Sequence, residues 1–200
     1  SSPSPKPKRK RYVKAVGPRL NKLLAVVFGL FALLTVNSVY LVAVRVAGWW
    51  TGETYENLVY LYVFLGHLVL GGLLILPLVI FGILHTKNAL NRPMRRAVRV
   101  GYALFLSALL LVASGLVLTR FEGVFVVRDP GTRSIAFWMH VITPLTCIWL
   151  FIVHRLAGRK IRWKVGLRWG AVAGVFAAAM VLNHSQDPKA WNVAGPDSGE

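Results

Sequence analysis

Five apolar stretches separated by polar or basic links set the pattern of the chain. They run roughly from Leu20 to Trp50, Leu58 to Thr86, Gly101 to Thr119, Ile135 to Ala157 and Trp169 to Leu182. A bilayer core of about 30 Å is crossed by about 20 helical residues, so each stretch is expected to be a transmembrane helix. The fifth is short and rich in Ala and Gly. The second is unusually long, which predicts a tilted or protruding helix, and its Pro77 removes one backbone donor and predicts a kink. The Trp49–Trp50 pair closes the first stretch where an aromatic belt would lie. The expected fold class is all-α and integral to the membrane, with four of the five spans forming a bundle.

This pattern divides the chain into three parts. Residues 1–18, rich in Pro, Ser, Lys and Arg, are expected to be a disordered basic tail. Residues 19–183 hold the five spans, and residues 184–200 form a polar tail. The first apolar run is too long for a cleavable secretory signal and continues as a span. A chain beginning at Ser1 has either lost its initiator or belongs to a longer polypeptide.

Composition agrees with a membrane protein, at 56% hydrophobic residues. The net charge of +17 changes the picture only through its placement. Eight Lys/Arg lie in and just after the N-terminal tail, five in the link after span 2 and six around the link after span 4, which makes 19 of the 24 basic residues on one side. All seven acids (Glu53, Glu56, Glu122, Asp129, Asp187, Asp197 and Glu200) fall on the other. The positive-inside rule then puts the N-terminus in the cytoplasm and the C-terminus outside, as in a bacterial inner membrane. The basic tail reads as a contact with anionic lipid, not nucleic acid. A single cysteine, Cys147, excludes a disulfide framework, a CxxC metal site and the covalent haem motif CxxCH. Cys147 itself reads as a small packing residue.

Ionisable side chains within spans are costly and mark function. Spans 2 and 4 carry two histidines each: His67 and His85, 18 residues apart, and His140 and His154, 14 apart. At about 3.6 residues per turn these gaps are close to five and four whole turns, so each pair shares a helix face. Both spans run from outside to inside, which sets His67 level with His140 near the outer leaflet and His85 level with His154 near the inner one. The rise separates the levels by about 27 Å along span 2 and about 21 Å along span 4. Imidazole binds iron through one nitrogen while the other donates a hydrogen bond. Two imidazoles fill both axial positions, which favours electron transfer over oxygen chemistry. Two haem b groups are expected, with His67 and His140 on the outer iron and His85 and His154 on the inner. Zinc or copper suits the pattern less, because the two levels are too far apart for one tetrahedral site. Gly66, Gly71, Gly72 and Gly82 on span 2, and the stripe Gly101, Ala108, Gly115 on span 3, offer either flat surface for a macrocycle or close helix contacts.

Over Leu20 to Ala157 the chain resembles the N-terminal four-helix haem bundle of cytochrome b from quinol–cytochrome c oxidoreductases. There too the second and fourth helices each give two histidines, and the N-terminus is cytoplasmic. His140 and His154 fit that family's H-x13-H spacing, whereas His67 and His85 stand as H-x17-H. The resemblance implies two bis-histidine haems.

Lesser signals have two readings each. Arg45 and Arg120 suit outer-haem propionates or snorkelling at the interface. Lys87, Arg95, Arg96, Arg99 and Arg155 suit the inner haem or the positive-inside bias alone. Asn37 and Ser38 read as helix-packing polar groups, and His184 as a solvated residue at the exit of span 5. The expected activity is electron transfer between a membrane quinone or quinol pool and an external redox partner, a c-type cytochrome or another subunit of an oxidoreductase complex. The alternative is a haem-free anchor or assembly subunit. No nucleophile, carboxylate pair or phosphate loop points to other catalysis. The charge segregation predicts that a reporter fused after Glu200 is external and one inserted in the 86–100 link is cytoplasmic. An internal C-terminus would show that span 5 does not cross.

Overall fold

The computed structural model describes residues 15–89, 95–119, 123, 125–157 and 163–185. The two tails assigned from the sequence lie mostly outside the described residues, as does Arg120. The described residues form five helices: α1 (Pro18–Thr51), α2 (Leu58–Ala89), α3 (Arg95–Leu118), α4 (Pro130–Leu156) and α5 (Trp163–Ser185). All five are long and apolar enough to cross a membrane, and among the described residues there is no sheet. This is the architecture of an integral membrane protein.

Several helices extend past their apolar runs. α3 begins six residues before Gly101, and α5 takes in Lys164 and Arg168 at one end and Asn183 and His184 at the other. Backbone hydrogen bonding continues through polar residues wherever their side chains can reach water or headgroups. Pro18 opens α1 at a position where its missing N–H costs nothing. Gly52 closes α1 in the left-handed region (φ 73°), its N–H donating to Gly48 O at 2.9 Å. Asn57 starts α2, its side-chain oxygen accepting the Tyr60 N–H at 3.0 Å. Arg133 ties the end of α3 to the start of α4, donating to Leu118 O and Val127 O.

Named contacts fix the helix directions. Asn37 reaches Val63, and Ala15, just before α1, reaches His85 and Asn88, so α1 and α2 are antiparallel. The ring of Phe105 lies over Gly82, joining α2 to an antiparallel α3. Ala97 and Leu111 of α3 meet His154 and His140 of α4 in reverse order, which makes that pair antiparallel as well. Gly29 holds Trp169 and Tyr40 holds His184, so α5 runs parallel to α1 on the outside of the bundle. α2 and α4 are consequently parallel. Their backbones stay more than 8 Å apart throughout, and so do those of α1 and α4. Side chains cross these gaps: Phe28 of α1 meets Phe151 of α4 edge to face, with ring centres 5.2 Å apart.

Many large apolar side chains point outward, Trp49 and Trp50 most of all. That is the arrangement lipid demands. Glycine provides the closest approaches. A Cβ on Gly82 would run into the Phe105 ring. Gly82→Ala is expected to destabilise the bundle by about 1–3 kcal/mol through overpacking. Phe105→Leu in the same chain should recover part of that loss. Thermal unfolding of the two single variants and the double variant in detergent measures the coupling, and additive losses would show that the two residues do not share the contact.

Candidate functional site

The two helices that carry the histidines are each interrupted by proline. Pro77 lies between His67 and His85, and Pro144 between His140 and His154. Pro144 has no N–H to give the carbonyl of His140 one turn back. α4 is launched by Asp129, whose carboxylate accepts the Thr132 hydroxyl at 2.6 Å and its backbone N–H at 2.7 Å. Those two bonds, the hydroxyl first, hold the Asp129 carboxyl below its usual range.

Across the gap between α2 and α4 the imidazoles meet in two pairs. The rings of His67 and His140 have centres 6.0 Å apart and planes crossed at 79°. The rings of His85 and His154 are 6.1 Å apart and crossed at 81°. The pairs close at equal separation although the spacing is 18 residues on one helix and 14 on the other.

Every one of the four histidines has an oxygen of a neighbouring element at its Nδ1. His154 donates to Ala97 O at 3.0 Å, and His85 to Ala15 O at 3.4 Å. His140 has Ser114 Oγ at 3.2 Å and Leu111 O at 3.3 Å. His67 has Ser38 Oγ at 3.5 Å. The hydroxyls of Ser38 and Ser114 donate to the carbonyls of Leu34 and Leu111 in their own helices, so their oxygens are left to accept. Each Nδ1 therefore carries the proton, and in the neutral ring the Nε2 lone pair is the one that can bind a metal.

Small residues behind the rings set their positions. A Cβ on Gly101 would lie 3.1 Å from His154 Cε1, and one on Gly115 would lie 3.0 Å from His140 Cε1. The stripe Gly101, Ala108, Gly115 thus makes close helix contacts, with its glycines cradling imidazoles. Gly66 faces Asn37, and Gly82 faces Phe105. Gly71, one turn beyond His67 and so on its face, would place a Cβ with nothing within 4 Å, as would Gly72. Phe81 stacks on the His85 ring at 5.2 Å and 10°. Asn37, only 2% exposed, donates to Val63 O at 3.1 Å and clamps α1 to α2 beside His67. Its Oδ1 has no partner among the described residues.

The remaining candidates are placed differently. Arg45 pairs with Glu56 at the surface. Lys87, Arg95, Arg96 and Arg99 are exposed, and Arg155 is half-buried next to His154. Cys147 is buried in packing. His184 is half-buried within α5, with its Nδ1 2.9 Å from the Tyr40 hydroxyl, and so is not a solvated end residue. Among the described residues no three His, Cys, Asp or Glu side chains converge.

No family model matches the chain, and no curated protein or solved structure matches it either. Fold and site together define a membrane protein with five described helices and two imidazole pairs, one at each of two levels, between parallel helices. Because the folded-state pKa of Asp129 is depressed, its contribution to stability is present above the unfolded value of about 4 and is lost as pH falls through the lower folded value. Asp129→Asn keeps a capping oxygen and removes the titration. Thermal midpoints measured from pH 6 downward should show a shallower acid decline for the variant, and identical declines would deny the carboxylate this role.

Proposed function

We propose that the protein carries electrons across a membrane through two bis-histidine b-type haems, between a quinone pool and an external redox partner such as a c-type cytochrome. The observation that carries this reading is the spacing of the two imidazole pairs. An imidazole nitrogen bonds a first-row metal at about 2 Å and lies roughly 1 Å from its ring centre, so two trans imidazoles on one iron have centres about 6 Å apart. Both pairs have that spacing. The Nδ1 bonds, which orient each Nε2, and the open space beside Gly71 suit a flat macrocycle held from both faces.

On this reading His67 and His140 hold the outer group, and His85 and His154 the inner one, in a bacterial inner membrane with the N-terminus inside. Haem supplies one-electron redox chemistry at each level. The protein's own part would be to ligate each iron through its histidine pair, orient the rings and keep water away. The levels lie about 21 Å apart along α4, most of the roughly 30 Å core, so two such groups would bridge most of the bilayer.

The purified protein is expected to show a reduced b-type spectrum with two haems per chain when dithionite is added. His67→Ala and His140→Ala should each abolish one and the same low-spin signal, and His85→Ala and His154→Ala the other. Gly115→Ala should disturb only the signal that depends on His140, and Gly101→Ala only the one that depends on His154. A colourless wild-type protein would leave the membrane anchor as the better reading. A grouping of His67 with His154 would contradict the pairing across the two helices.

A further inference from the structure

The link between α1 and α2 folds back on the last turns of α1, and four local features hold it there. Gly52 closes α1 at φ 73° and reverses the chain. Thr51 Oγ1 accepts the Glu53 N–H at 3.3 Å. Gly48 makes room for the returning backbone, since a Cβ there would lie 3.0 Å from Glu53 O. Arg45, about one turn earlier, pairs with Glu56. Between link and helix this leaves an open hollow of about 560 Å³, with Arg45, Val46, Trp49, Glu53, Tyr55 and Glu56 in its walls.

Its walls carry charge of both signs. One arginine against two glutamates leaves one negative charge unbalanced. Arg45 pairs with Glu56 through Nη1 alone, so the rest of its fork of donors is open to a second anion. The Glu53 carboxylate has no ion pair or hydrogen bond among the described residues. Trp49, 83% exposed, and Tyr55 add aromatic faces. A free carboxylate with aromatic rings in the same hollow attracts an organic ammonium, while the guanidinium attracts phosphate.

The adjoining surface of α1 accounts for the rest of the ligand. Val39, Val42 and Val46 are exposed and lie within about 60° of one another around the helix. Arg45 and Trp49 flank that strip, Trp49 about 6 Å further along the axis. From the middle of the membrane toward its surface, α1 therefore presents an apolar strip, then a guanidinium, then an indole and a free carboxylate. A phospholipid with an ethanolamine headgroup has its parts in the same order: acyl chains, phosphate, ammonium.

We propose that this hollow binds a phospholipid through its phosphoethanolamine headgroup. Glu53 accepts hydrogen bonds from the ammonium, the Trp49 and Tyr55 rings flank it, and Arg45 takes the phosphate. An anionic lipid with a glycerol headgroup offers Arg45 the same phosphate but brings Glu53 no cation. The site is independent of what the histidine pairs hold.

The test uses the purified chain in detergent, stripped of lipid and titrated with equimolar dioleoyl phosphatidylethanolamine and dioleoyl phosphatidylglycerol. Native mass spectrometry counts the lipid retained. The first lipid bound to the wild type should be the ethanolamine form, by about tenfold. Glu53→Gln should bring that ratio close to one, and Arg45→Gln should lower the retention of both lipids. Both side chains are exposed, so neither change opens a cavity in the bundle. Equal retention of the two lipids by the wild type would overturn the proposal, as would a preference that survives Glu53→Gln. Displacement of the lipid by an equal concentration of soluble phosphoethanolamine would also overturn it, because the acyl chains along Val39, Val42 and Val46 would then contribute nothing.

Discussion

An imidazole between helices in hydrocarbon must find a partner for its N–H, because an unpaired polar group there costs several kcal/mol. Four such rings impose that demand on this bundle. Each is met by an oxygen on the neighbouring element in sequence: Ala15 and Ser38 serve α2, while Ala97, Leu111 and Ser114 serve α4. The close helix contacts follow from this, α1 on α2 and α3 on α4, with α2 and α4 held apart but facing each other. The same bonds fix the orientation of each ring and leave its Nε2 turned away from the partner oxygen.

Much of this is readable from spacing. Runs of apolar residues give the five helices, and intervals near whole numbers of turns give the two levels at which imidazoles meet. Helix ends are less legible, because Arg95 or His184 can sit in a helix without making it more apolar. The stripe on α3 is ambiguous in sequence, since Gly101 and Gly115 suit a neighbouring helix, a macrocycle or a side chain equally well. Only the position of α4 shows that it is imidazole they make room for. His184 is the plainest case. Its partner Tyr40 stands 144 residues earlier, and periodicity within one helix says nothing of a contact between the first and the last. Arg45 is similar, since its pairing with Glu56 depends on how the turn at Gly52 folds back.

The outer helix α5 contrasts with the other four. It touches the bundle through Trp169 on Gly29 and His184 on Tyr40, and most of its remaining surface faces outward. The histidine pairs are built entirely from α2 and α4, with support from α3, α1 and the segment before it. The four-helix core and the fifth helix therefore stand under different constraints, the first tied to ring geometry and the second chiefly to contact with lipid.

The hairpin of α3 and α4 carries the same cradle twice. Gly101 and Gly115, the acceptors Ala97 and Leu111, and His140 and His154 all stand 14 residues apart, so one level maps onto the other by a shift along the helices. Such a hairpin behaves as a ruler with two marks. A single inserted or deleted residue between the marks of either helix turns everything beyond it by about 100° and parts a glycine from its ring. Length changes in the two helices survive only in matched steps. α2, with its 18-residue interval and no glycine cradle for its histidines, keeps a separate measure.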